Sequence, residues 1–516
     1  MRLIFGYLSA LLFAASGFAL SARERPNILF FFADDWGRFA RIYAEHGNLA
    51  GTNGLLRTPN LDRLAKEGVL FRNAHVNAPS CTPCRSSLLS GQHFWRTGRG
   101  AILQGAVWDE SIPTYPLLLR DAGYHLGKSY KVWSPGSPAD APYGGQQHAF
   151  EKSGRAFNNF SENATDLVAK GATVEAARAK LLEEVRGNFK AMLAAKAAGQ
   201  PFAYWFGPTT THRTWVRGSG QKLWGLDPDA LKGKLPAFLP DVPVVREDLA
   251  DYLGEVQALD AAMGVLLEEL DRAGERSKTL IAVSGDHGAP GFPHGKCNLY
   301  GFGTGVSLIV AGAGVKGGRV VDDMVTLPDL APTFLEAAGL RPPSTMTMRS
   351  LTGLLRGETA AGREAVFIER ERHADVRHGH LSYPMRAVRT RDFLYVRNLR
   401  PDRWPAGDPD NLFLHGRPFG DVDTTATKDF LLAHQHDALG RPFFARIFGK
   451  RPREELYDLR KDPDQLTDVA ADPAYAADLA AQRARVDAWM RDTHDPRLDE
   501  AYDAWDRFPY YGKAPK

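Results

Sequence analysis

Over its first three quarters the chain alternates between short apolar runs and longer stretches of helical periodicity. The runs at 28–32, 202–206, 279–283 and 306–310 contain almost nothing polar, so they read as strands buried on both faces. Thr58-Pro59-Asn60 starts a helix that sets Leu61, Leu64 and Ala65 on one face and stops at Gly68. Residues 86–89 begin another helix, 112–122 and 170–199 form two more, and Leu249, Leu253, Val256, Leu259, Met263 and Leu270 mark a long amphipathic one. Strands alternating with helices predict an α/β fold, a large and mostly parallel sheet sandwiched by helices.

From residue 376 the texture changes. Residues 387–396 alternate like a hairpin, 401–425 are rich in Pro, Gly and Asp, and 473–492 read as a last helix. This predicts a smaller C-terminal α+β domain, an antiparallel sheet plus a helix, over 376–516, with the main domain over 23–375. Residues 1–22 have the order of a secretory signal peptide: Arg2, an apolar run over 3–13, then small residues before Arg23-Glu24-Arg25. An N-terminal membrane anchor is the alternative reading. Export to a periplasm, a lysosome or the medium follows from the first reading, and no later run is long and apolar enough to span a bilayer.

With 516 residues there is room for more than one core. A net charge of +3, from 64 Lys and Arg against 61 Asp and Glu, gives no support to nucleic-acid binding. Three cysteines, Cys81, Cys84 and Cys297, are too few for a disulfide framework, and their odd number suggests another task for one thiol. Whether Cys84 and Cys297 pair stays open.

Two of the predicted strands stop at acidic groups, Asp34-Asp35 and Asp286-His287. Ligands of parallel α/β sheets bind beyond the carboxyl ends of the strands. Three carboxylates converging there repel one another unless a cation lies between them, and oxygen donors suit Ca²⁺ or Mg²⁺. His287 is a fourth candidate ligand.

The segment Cys81-Thr82-Pro83-Cys84-Arg85-Ser86-Ser87-Leu88-Leu89-Ser90-Gly91 resembles the signature of type I, formylglycine-dependent sulfatases, a branch of the alkaline-phosphatase superfamily. Arg25-Pro26-Asn27 leading to Asp34-Asp35-Trp36-Gly37 is similar to that family's first metal loop. Ser284-Gly285-Asp286-His287-Gly288 is similar to its second, and Leu456-Tyr457-Asp458-Leu459 to its C-terminal landmark. The resemblance implies that a dedicated maturation enzyme converts Cys81 to 3-oxoalanine (formylglycine). It implies catalytic roles for Cys81, Arg85, Lys128, His212 and Lys296, and a divalent cation, Ca²⁺ before Mg²⁺, on Asp34, Asp35, Cys81, Asp286 and His287. One loop departs from the pattern. The family reads Gly-Lys-x-His where this chain has Gly127-Lys128-Ser129-Tyr130, and a phenol with a pKa of about 10 is a poor base. His125 or Lys131 is a substitute if the loop is shifted. Thr211 also stands where the family has a proline before His212.

Tyr383-Pro384-Met385-Arg386 and Asn398-Leu399 are similar to the heparan N-sulfatase (sulfamidase) branch. The implied substrate is a sulfated oligo- or polysaccharide, with Arg372, His373 and Arg386 as candidate contacts and with S–O and S–N cleavage both open. Two other readings share these features: a phosphoester or phosphonate hydrolase of the same superfamily, and a non-catalytic glycan-binding homologue.

Overall fold

Asn27–Ala33 is buried along its whole length, and its side chains alternate between two apolar cores. Ile28, Phe30 and Phe32 point into one, Leu29, Phe31 and Ala33 into the other. The period of two makes an unbroken apolar run suit a strand with helices on both sides. The computed structural model describes residues 25–510 apart from 48, 359–361 and 415; the predicted signal peptide lies outside the described residues.

That strand is central in a seven-stranded sheet. From edge to edge the order is His125–Tyr130, Phe202–Gly207, Asn27–Ala33, Thr279–Gly285, Leu308–Gly312, Val69–Phe71 and Arg319–Val321. All neighbours run parallel except Leu308–Gly312, which is antiparallel to both of its partners. Pro59–Glu67, Val174–Ala195 and Pro243–Arg272 are among the helices that cover it. The last buries Leu249, Leu253, Val256, Leu259, Met263 and Leu270, the residues whose spacing predicted it. The helix expected over 112–122 spans only Tyr115–Asp121, since Pro116 fits its first turn.

A second sheet of four antiparallel strands is built from Ala365–Arg370, Met385–Thr390, Phe393–Asn398 and Glu454–Asp458. Its first strand precedes the change of texture at 376. The predicted hairpin is present, with Arg389 opposite Leu394, and Ala476–Thr493 packs on this part of the chain. Among the described residues no helix is long and apolar enough to cross a membrane.

Candidate active site

The third and fourth strands of the sheet, Asn27–Ala33 and Thr279–Gly285, lie side by side in register, so Ala33 pairs with Gly285. Asp34-Asp35 and Asp286-His287 therefore leave the sheet together. Asp35 has a left-handed backbone, φ 57°, which turns its carboxylate away from the strand direction. Its N–H donates to Asp286 Oδ1 at 2.8 Å, and the Tyr252 hydroxyl donates to its carbonyl at 3.0 Å. Gly285 admits no side chain, because a Cβ there would lie 1.9 Å from the Trp36 carbonyl.

Cys81 faces this cluster from the first residue of the helix Cys81–Ser90. The helix starts earlier than residue 86 because Pro83 falls in the first turn, where no amide partner is needed. The Cys81 Sγ lies 3.4 Å from His287 Nε2 and 3.9 Å from Asp35 Oδ1. Burial, then the nearby Asp34 charge, pushes the thiol well above its usual range. As a plain cysteine it is protonated at neutral pH and a weak nucleophile. Cys84 and Cys297 are likewise buried and free, so the two do not pair.

Arg85, one helical turn on, has all three nitrogens engaged. Nε reaches Asp286 at 2.9 Å, Nη2 reaches Asp34 at 3.1 Å, and Nη1 serves the carbonyls of Lys131 and Val132. It is fully buried. Its geometry suits fixing the two carboxylates rather than receiving a ligand. Lys296 Nζ lies 3.0 Å from Asp35 Oδ2 and 3.6 Å from Asp423 Oδ2. Burial works against its charge, but those two carboxylates hold the ammonium well above its ordinary range.

Lys128 is not in the cluster. It sits inside the strand His125–Tyr130, and its ammonium pairs with Asp140 at 2.9 Å. Lys131, just past the end of that strand, contacts Asp34 Oδ1 at 2.7 Å instead. The loop is shifted by three residues. Tyr130 holds a left-handed φ of 70°, a conformation that favours glycine, and the next residue, Lys131, is the one that reaches the carboxylates. Trp133 Nε1 donates to Ser86 Oγ at 2.7 Å. Tyr130 packs among the apolar residues of the second core, its hydroxyl meets Asn188, and burial pushes its phenol up. Neither it nor Trp133 supplies a base.

His212 is the most open of the group, 38 % exposed. Its Nδ1 lies 2.7 Å from the Arg213 carbonyl, so Nδ1 carries the proton and Nε2 faces Asp35 Oδ2 at 3.9 Å. The Thr211 hydroxyl donates to the Asp34 carbonyl at 2.6 Å, a positive use for the residue that replaces proline.

Of the three predicted substrate contacts, two are corrected. Arg372 is spent on the carbonyls of Gln104, Trp505, Phe508 and Pro509 and stacks on Tyr510. Arg386 is fully buried between Asp495 and Glu371, each at 3.0 Å. Both arginines tie the C-terminal segment to the fold. His373 is buried beside the start of the helix Cys81–Ser90, with Nδ1 2.8 Å from Ser80 Oγ, and burial depresses its pKa to about 3. Asp423, which sequence reasoning missed, comes in from the irregular 401–425 segment, where no motif marks it.

The donor set can be tested for a cation. His287 Nδ1 lies 3.2 Å from the Gly288 carbonyl, and in the tautomer that donates to it Nε2 is left as a lone pair. That lone pair faces Asp35 Oδ1 at 3.3 Å and Asp286 Oδ1 at 3.6 Å. A lone pair opposed to two carboxylate oxygens is repulsive unless a positive charge lies between them, so the residues fit a metal ion. Asp35, Cys81 and His287, and Asp34, Cys81 and Asp286, each bring their ligand atoms within 4.8 Å of one another.

The model of the Sulfatase family matches residues 26–340. The chain is 30 % identical over 505 residues to the N-sulphoglucosamine sulphohydrolase of Homo sapiens, covering 92 % of both chains. It is 24 % identical over 488 residues to an ulvan-active sulfatase of Formosa agariphila, covering 91 % of this chain and 76 % of that one. Among solved structures, a protein in complex with its substrate D-glucosamine-2-N,6-O-disulfate superposes with a TM-score of 0.62 at 18 % identity, covering 93 % of this chain and 100 % of the other. The phosphonate monoester hydrolase of Agrobacterium radiobacter gives 0.60 at 20 % identity, covering 91 % and 96 %. These two likenesses show a shared fold.

Proposed function

The chain belongs to the sulfatase family, and on that premise we propose that it releases sulfate from a sulfated carbohydrate, with N-sulfated glucosamine the first substrate to test. The observation that carries this is the buried Cys81, set at a helix N-terminus against Asp34, Asp35 and Asp286 and flanked by Lys131 and Lys296. The relative active on N-sulphoglucosamine spans nearly the whole chain, which supports the amino sugar as substrate class.

The reading includes conversion of Cys81 to formylglycine by a maturation enzyme, because the buried thiol itself is unreactive. The hydrated aldehyde would supply one hydroxyl to attack sulfur and a second whose deprotonation expels sulfate. It also includes a divalent cation, Ca²⁺ in preference to Mg²⁺, on Asp34, Asp35, Asp286, His287 and residue 81; bound there it would polarise sulfate oxygens and favour the ionised nucleophile. Arg85 holds Asp34 and Asp286 in place. Lys131 and Lys296 face the same cluster and hold positive charge where the sulfate oxygens gain negative charge. His212 keeps Nδ1–H on the Arg213 carbonyl, and as the imidazolium it would donate a second proton from Nε2, on the open side, to the departing nitrogen or oxygen. Export through residues 1–22 is part of the same reading.

The test is sulfate release from N-sulfated and 6-O-sulfated glucosamine oligosaccharides by protein shown to carry formylglycine. Release from either supports the reading, and the ratio assigns S–N or S–O cleavage. Release from neither, with turnover of a matched phosphonate monoester, would make it a phosphonate hydrolase.

A further inference from the structure

Outside the catalytic cluster, a cavity of about 360 Å³ lies where the loop after the first strand meets the small sheet. Four of its lining residues are basic: Arg38, His75, Lys234 and Arg389. One, Asp464, is acidic, and its carboxylate already accepts the Ala237 N–H at 3.0 Å. The two arginines converge on the short segment 301–305. A Cβ on Gly301 would lie 3.4 Å from Arg389 Nη1, and one on Gly305 would lie 3.1 Å from Arg38 Nη2.

Among the described residues neither guanidinium has a carboxylate partner. Arg38 donates only to backbone, to the Ala74 carbonyl at 2.7 Å and the Val306 carbonyl at 3.4 Å. Arg389 Nη1 is buried with no hydrogen-bond partner. His75 is 1 % exposed. Its Nδ1 meets Thr304 Oγ1 at 3.2 Å, and its Nε2 is buried and unpartnered as well. Burial pulls Arg38 down to about 10, and burial together with Arg38 pulls Arg389 down to about 9. Two neighbouring, half-buried guanidiniums repel each other, and among the described residues no carboxylate pairs with either. Their planar forks match a tetrahedral oxyanion; burial, then Arg389 and Arg38, pulls the His75 pKa well below its usual value, so His75 adds a third donor as the neutral tautomer with its proton on Nε2.

We propose that the cavity bounded by Arg38, His75 and Arg389 is a second anion site, built for an oxyanion of the sulfate type. The ligand is either inorganic sulfate or a sulfate group carried on a glycan chain. The site shares no residue with the cluster at Cys81 and is independent of the proposed activity.

Arg389 is the residue to change, because among the described residues no side-chain hydrogen bond or ion pair depends on it. The thermal midpoint of the full-length protein is followed against sodium sulfate, with sodium chloride at matched ionic strength as reference, for wild type and Arg389→Met. Sulfate is expected to act about tenfold more weakly on the variant, the value of one charge-assisted contact. The variant without sulfate is expected to be at least as stable as wild type, since a half-buried guanidinium with no carboxylate partner, next to Arg38, has gone. An unchanged sulfate response in the variant overturns the proposal. Wild-type crystals soaked in selenate give a second reading that needs no variant: a selenium peak between Arg38 and Arg389 is expected, and its absence at concentrations that saturate the thermal response also overturns it. A sulfated oligosaccharide whose effect depends on Arg389 identifies the glycan as the source of the anion; dependence for inorganic sulfate alone identifies the free ion.

Discussion

The Lys131 ammonium straddles the Asp34 carboxylate, 2.7 Å from Oδ1 and 2.8 Å from Oδ2. Lys128, three residues earlier, faces Asp140 instead. Lys131→Ala is therefore expected to lower kcat/KM by about 100-fold or more, the usual cost of removing a charge-stabilising group. Lys128→Ala should lower the thermal midpoint while the folded fraction keeps a kcat close to wild type. Steady-state kinetics and thermal melts of both variants check this, and equal losses of activity would contradict it.

Arg386 joins Asp495 and Glu371 with no exposed surface. Removing one member of such a group leaves buried charges unpaired, so Arg386→Ala should cost about 3–5 kcal/mol of stability. Denaturant unfolding measures it. A variant as stable as wild type, but altered in substrate preference, would restore Arg386 as a substrate contact.

Glu255 is 2 % exposed; one of its oxygens accepts the Ser161 N–H and the other has no partner. Burial, reinforced by Asp251 and Glu162, raises its pKa from 4.5 to about 8. Because the folded value is the higher one, its contribution to stability is whole below 4.5 and is lost as pH rises through about 8. Wild type should lose stability relative to Glu255→Gln between those limits, by up to a few kcal/mol. Unfolding free energies at several pH values test this, and parallel curves for the two proteins would refute it.

If a cation holds the Asp34, Asp35 and Asp286 carboxylates together, chelation should remove activity and also lower the thermal midpoint. Restoring Ca²⁺ to about 100 times its Kd should return about 2.7 kcal/mol. The melt is independent of turnover. A midpoint indifferent to chelator and to Ca²⁺ would argue against the site.

The parallel sheet was legible because its strands are uninterrupted apolar runs, and Asp34, Asp35 and Asp286 were legible because they end two of them. Lys128 lies away from the carboxylates because the strand runs on past the local tripeptide Gly127-Lys128-Ser129: the chain reaches the carboxyl edge of the sheet only at Lys131. Arg372 and Arg386 were misread because charge in a sequence does not disclose burial. Asp423 was invisible because it enters the site from an irregular segment, with neither periodicity nor motif around it.

The most direct test is the mass of the peptide containing Cys81 in protein produced with a formylglycine-generating enzyme. Replacing the thiol and a hydrogen by a carbonyl oxygen lowers the mass by about 18 Da. The account predicts that loss at Cys81, none at Cys84, and sulfate release in proportion to the converted fraction. Sulfate release from protein whose Cys81 remains an unmodified thiol would contradict it.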